Sequence, residues 1–140
     1  MQFLKKNSLY LAWFVSVVAM CGSLYFSNVL MYPPCVLCWA QRIFMYPLVF
    51  ILGAAIIYRD TKIYRYVFPL VAVGGIISIF HNLLYFKIIP DTLAPCTTGV
   101  SCTTKFVEWF GFVTIPFLAL VAFVLITILV FINKKSHART

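Results

Sequence analysis

Four stretches of the chain, at about 9–30, 40–57, 66–86 and 109–132, are almost wholly apolar. A helix that crosses the hydrocarbon of a bilayer needs about 20 such residues, and lipid offers no water to satisfy the backbone groups of an open sheet edge. The stretches are therefore expected to be transmembrane helices. The fold class that follows is an all-α membrane protein, a four-transmembrane-helix bundle occupying residues 1–140 as a single integral membrane domain. Hydrophobic residues fill 64% of the 140 positions and charged ones 10%. Soluble domains have roughly 45–50% and 25%, so a soluble enzyme is excluded.

An even number of crossings puts both termini on one side. Lys5, Lys6, Arg59, Lys62, Arg65, Lys134, Lys135 and Arg139 fall on that side, whereas Arg42, Lys87 and Lys105 fall near the other. The bias of basic residues toward the cytoplasm then makes both termini cytoplasmic and the loops at 31–39 and 87–108 extracytoplasmic, in a multi-pass protein of the cell membrane. The net charge of +8 is accordingly a topology signal. No contiguous soluble basic surface is left to hold a nucleic acid. The first segment follows Lys5 and Lys6 as a signal peptide would, but its apolar run is too long and no small-x-small cleavage site stands out, so it reads as an uncleaved helix.

Chemistry concentrates in the two outer loops. Cys35-Val36-Leu37-Cys38 is a Cys-x-x-Cys dithiol, and Cys96 and Cys102 form a second pair of thiols. That side of the membrane permits disulfides. Pro33 and Pro34 cannot continue the first helix, which leaves Cys38 at the start of the second, where the positive end of the helix dipole favours a thiolate. Cys38 is thus expected to be the more acidic thiol. Arg42 follows four residues later on the same face and is placed to stabilise a thiolate or a reduced carbonyl oxygen. His81, near the outer end of the third segment, falls in the same layer, with Asn82 beside it.

Three readings of the four cysteines stay open on chemistry alone: a redox relay, two static disulfides in a non-enzymatic membrane protein, and a single Cys₄ zinc site. The relay needs a terminal acceptor. With no haem, flavin or metal motif in the chain, a lipid-soluble quinone meets that need. Cys21 is read as a buried apolar cysteine. Gly53, Gly74 and Gly75 are read as close helix contacts, Pro116 as lying one to two turns into the fourth helix, and Trp39, Tyr85, Phe86, Trp109 and Phe110 as interfacial anchors.

Cys-x-x-Cys followed by Gln41-Arg42, a second cysteine pair between the third and fourth segments, and Glu108-Trp109-Phe110-Gly111 leading to Ile115-Pro116 together resemble the DsbB family of thiol-quinone oxidoreductases, in its short Gram-positive, BdbC-like branch. The likeness spans about Leu9 to Ile132. It implies disulfide pairs Cys35–Cys38 and Cys96–Cys102, all four cysteines catalytic, and no metal. It also implies a quinone, menaquinone or ubiquinone, bound near Cys38, Arg42 and His81. The implied partner is a secreted or membrane-anchored thioredoxin-fold thiol oxidase, DsbA-like, whose cysteine attacks Cys96 before Cys102 attacks Cys35. Gram-negative members carry a much longer segment between the second pair than the five residues found here.

Overall fold

The computed structural model describes residues 2–60, 62–96, 99–103, 105, 108, 110–111 and 113–137, apart from the side chains of residues 2, 4–6 and 137. Trp109, Arg139 and the side chains of Lys5 and Lys6 lie outside this set. Four long helices account for most of it: α1 (Gln2–Leu24), α2 (Val36–Tyr58), α3 (Tyr64–Tyr85) and α4 (Ile115–His137). A π-helical turn, Tyr25–Val29, extends α1, and a short 3₁₀ turn, Asp91–Leu93, lies in the loop before α4. α1 together with its π-helical extension, α2, α3 and α4 each provide a run of 22 or 23 residues long and apolar enough to cross a membrane.

The helix ends are set by local chemistry. Arg59 takes a left-handed conformation (φ 52°) and its N–H caps the carbonyl of Ala55, after which the Asp60 carboxylate accepts the N–H of Lys62 at 2.8 Å. This closes the tight turn into α3. The start of α4 differs from expectation by about six residues. Phe110 and Gly111 are both left-handed, and the chain enters the helix through Thr114, whose Oγ1 accepts the N–H of Phe117 at 3.4 Å. Pro116 therefore sits in the first turn, where its missing N–H costs no hydrogen bond, and not one to two turns inside.

Each helix packs on two neighbours, α1 and α3 each lying against both α2 and α4, with α2 and α4 across the diagonal. Leu48, Leu52, Val67, Val71, Phe123, Ile126 and Val130 form the buried centre. Large apolar side chains such as Phe50, Ile57, Ile76 and Phe131 are exposed on the outside, as a lipid-facing surface requires. Cys21 is exposed on that outer face, because α1 turns Ala12 and Ser16 inward instead. The expectation of a buried Cys21 is thus corrected.

Only two of the three glycines singled out by sequence mark close approaches. A Cβ on Gly74 would run into the ring of Phe123 and lie 3.1 Å from the Cβ of Phe44, and one on Gly53 would lie 3.2 Å from Nε1 of Trp13. Gly75 faces open space. Gly74→Ala is expected to lower stability by about 1–3 kcal/mol through overpacking. Gly75→Ala is expected to be neutral or to stabilise by up to about 1 kcal/mol through helix propensity. Thermal unfolding of both variants in detergent checks the pair, and equal effects would contradict the packing.

Candidate functional site

The start of α2 creates the first half of the site. Pro33 and Pro34 lead in without helical structure, and Cys35 is the N-cap, with extended backbone at φ −73° and ψ 172°. Its Sγ accepts the N–H of Cys38 at 3.3 Å, and the two sulfurs, both free thiols here, stand 3.0 Å apart. The helix begins at Val36, about four residues earlier than expected, which changes which sulfur the helix end favours. The donors converge on Cys35. The Cys38 thiol hydrogen bond, the nearby His81 imidazole and the Cys38 backbone N–H outweigh burial and hold the Cys35 thiol down to about 4. The expectation that Cys38 is the more acidic thiol is corrected on that ground for this dithiol state.

The second half comes from α3 and the loop after it. His81 is buried, with Nε2 3.2 Å from the carbonyl oxygen of Cys102 and 3.7 Å from Cys35 Sγ, and Nδ1 3.3 Å from the amide nitrogen of Gln41. A backbone carbonyl only accepts, so Nε2 carries the proton and Nδ1 accepts from Gln41. Cys96 and Cys102 are joined in a disulfide, with Cys102 buried and Cys96 half-buried. The sulfurs of Cys35, Cys96 and Cys102 all lie within 4.8 Å of one another. The site residues expected from sequence on α2, α3 and the second loop therefore meet at one place.

Arg42 and Cys38 border a cavity of about 430 Å³ between α1, α2 and α4, whose walls include Phe14, Val18, Phe26 and Ala119. Arg42 donates to the carbonyl of Ser23 at 3.1 Å and lies over the ring of Trp39, 5.4 Å from its centroid. Its costly charge is thereby given partners. Sequence reasoning passed over Ser23 altogether. It named Gln41 only as part of a motif, although the three-residue spacing from Cys38 was a usable signal for a shared helix face.

Other polar groups serve structure. Asn82 donates to the carbonyls of Ser78 and Pro116, at 2.8 and 3.0 Å, and so ties α3 to the first turn of α4. Tyr85 is buried and donates to the Glu108 carboxylate at 3.2 Å, which corrects its reading as an interfacial anchor. Lys105, 2.7 Å away, holds the Glu108 carboxyl below its ordinary range.

A depressed thiol pKa has a direct spectroscopic consequence. The hydrogen bond from Cys38 and the neighbouring His81 hold the Cys35 thiol well below the ordinary thiol range, so its thiolate is expected to persist below neutral pH. The difference in ultraviolet thiolate absorbance between reduced wild type and Cys35→Ser is expected to stay flat from about pH 8 to pH 5. A difference that collapses between about pH 9 and pH 8, where an ordinary thiol titrates, would contradict the geometry.

Comparison with known proteins places this arrangement. The family described as disulfide bond formation protein DsbB matches residues 5–133. The chain is 49% identical over 130 residues to disulfide bond formation protein C of Bacillus subtilis, covering 93% of this chain and 94% of the relative. It is 47% identical over 133 residues to the probable disulfide formation protein C 1 of Bacillus cereus, covering 94% and 95%. A probable disulfide formation protein of Metapseudomonas resinovorans is 42% identical over 130 residues, covering 92% and 90%. No solved structure matches. The four helices, the paired cysteines and these relatives together make the chain a member of the DsbB family of disulfide bond formation proteins.

Proposed function

We propose that this protein is a disulfide-generating, protein-dithiol:quinone oxidoreductase of the cell membrane. It reoxidises an extracytoplasmic thioredoxin-fold thiol oxidase and passes the electrons to menaquinone or ubiquinone. Its termini are cytoplasmic and both cysteine loops face outward, in line with the distribution of basic residues. One observation carries the reading: Cys35 Sγ lies 3.0 Å from Cys38 and within 4.8 Å of both sulfurs of the Cys96–Cys102 disulfide. Two pairs so close can exchange, which static loop disulfides have no need to do.

The electrons can be followed bond by bond. A partner thiolate attacks Cys96, the more exposed sulfur of its pair, forming a mixed disulfide and releasing Cys102 as thiolate. Cys102 attacks Cys35 of the oxidised first pair, which releases Cys38 as thiolate at the edge of the cavity. The partner's second thiolate then attacks its own sulfur bonded to Cys96, leaving the partner oxidised and Cys96 free. Cys96 attacks Cys102, restoring the second disulfide and releasing Cys35. The product is a reduced Cys35/Cys38 pair beside a closed Cys96–Cys102 pair, the state described above. His81 holds the Cys102 backbone in register for the exchange through its Nε2–H.

The cavity suits a quinone. Its volume of about 430 Å³ falls in the range of small-molecule sites, roughly 300–1,000 Å³, and its walls are mostly apolar with Arg42, Gln41 and Cys38 as polar points. Arg42 keeps N–H donors beyond the one given to Ser23, and these are available to a quinone carbonyl oxygen. Closing Cys35 and Cys38 to a disulfide releases two electrons, which a quinone held there would accept, together with one proton from the Cys38 thiol and one from solvent.

Purified protein in detergent, given a reduced thioredoxin-fold dithiol protein and a quinone, is expected to turn over. Cys38→Ser is expected to abolish quinone reduction. Arg42→Ala should raise the quinone KM by about 10- to 100-fold, the worth of a lost charge-assisted hydrogen bond, with little change in exchange with the partner. Unchanged turnover in folded Cys38→Ser protein would overturn the relay, and equal losses of both half-reactions in Arg42→Ala would give Arg42 a folding role.

A further inference from the structure

The reduced first pair shares its corner of the bundle with a buried imidazole, and the three form a ligand set independent of any electron acceptor. Cys35 Sγ, Cys38 Sγ and a ring nitrogen of His81 all lie within 4.8 Å of one another. We propose that the reduced protein binds one thiophilic divalent cation, zinc or cadmium, through Cys35, Cys38 and His81 Nε2, and that this ion locks the pair in its dithiol form. The proposal rests on this geometry alone and holds whether or not a quinone is the acceptor.

The distances are close to those of a tetrahedral site. Zinc–sulfur bonds of about 2.3 Å and zinc–nitrogen bonds of about 2.0–2.1 Å put neighbouring ligand atoms roughly 3.5–3.8 Å apart. Cys35 Sγ is already 3.7 Å from His81 Nε2, and its 3.0 Å separation from Cys38 Sγ needs only a small opening about the Cys38 side chain. The Cys38 N–H directed at Cys35 Sγ is the kind of second-shell bond that steadies a metal thiolate. Two thiolates and an imidazole select soft and borderline cations over magnesium or calcium.

Gln41 completes the support. Ligation through Nε2 moves the ring proton to Nδ1, and a turn of the Gln41 amide then presents its oxygen to Nδ1–H in place of the nitrogen that faces it now. The same side chain thus serves both tautomers. Ligation also withdraws the Nε2–H from the Cys102 carbonyl, so metal binding and docking of the second loop compete for His81. The fourth position is open to water, since Cys38 and His81 both border the cavity. This places the ion at the sulfurs that the exchange chemistry requires. Coordination draws charge off both thiolates and so lowers their nucleophilicity, and a closed Cys35–Cys38 disulfide has no thiolate to offer. Oxidation and metal binding are therefore mutually exclusive.

The test is titration of detergent-purified protein with Cd²⁺, read by sulfur-to-cadmium charge-transfer absorbance, with Zn²⁺ as competitor. Reduced wild type is expected to bind one ion per chain, and protein with the Cys35–Cys38 disulfide closed to bind none. Zn²⁺ is expected to protect both thiols from oxidation by diamide. His81→Gln should weaken Cd²⁺ binding at least tenfold and Gln41→Leu by about tenfold, the usual cost of losing a second-shell partner. The cadmium NMR shift of the wild-type complex, which separates two-sulfur-one-nitrogen ligation from ligation by sulfur and oxygen alone, decides the matter if either variant fails to fold. No binding by reduced protein, binding that persists after oxidation, or full affinity in folded His81→Gln protein would overturn the proposal.

Discussion

One buried imidazole sets the arrangement on which the rest of the site depends. The ring of His81 has two nitrogens, and leaving either unsatisfied in the interior costs about 1–3 kcal/mol. Nδ1 takes a hydrogen bond from Gln41 on α2, and Nε2 gives one to the backbone of Cys102 while standing against Cys35. Three pieces of chain with no local reason to meet are held in one layer by a single side chain. The loop that carries the second disulfide is otherwise short of regular structure, and this bond fixes its buried end over the first pair.

The bundle gives that layer its boundary. Cys35, as the N-cap of α2, marks the depth at which the chain passes from extended to helical, and Thr114 does the same for α4. Between them, Arg42 enters the apolar region by one turn and is satisfied by a carbonyl of α1 that precedes the π-helical turn. A widened turn shifts the register between carbonyls and N–H groups, and such irregularity is common at functional sites. The cavity lies directly below, so thiol chemistry above and apolar space beneath share a wall made by Cys38, Gln41 and Arg42.

Much of this was legible from sequence, for reasons that also explain what was not. Membrane helices are announced by composition over twenty residues, so all four were found, and Cys-x-x-Cys at a helix start is a local pattern. Features set by a few atoms were harder to read. The start of α2 depends on whether Cys35 or a later residue caps it, and that choice moved the favoured thiolate from Cys38 to Cys35. Nothing in the apolar run of α1 says which side of Cys21 meets lipid, because every side is apolar. The partner of Arg42 is a backbone carbonyl, which has no residue signature at all. His81 was picked out as a polar residue in an apolar span, yet its link to Cys102 joins positions 21 apart and needed the fold.

On the proposed relay, the two cysteine pairs exchange through Cys35 and Cys102, whose sulfurs lie within 4.8 Å of each other. The most direct measurement is a disulfide map, by mass spectrometry under non-reducing conditions, of the Cys38→Ser/Cys96→Ser double variant after mild oxidation in detergent. Only Cys35, Cys102 and the lipid-facing Cys21 then remain. A single Cys35–Cys102 bond in most of the protein is the expected result. Folded protein in which Cys35 and Cys102 both stay free would contradict the account.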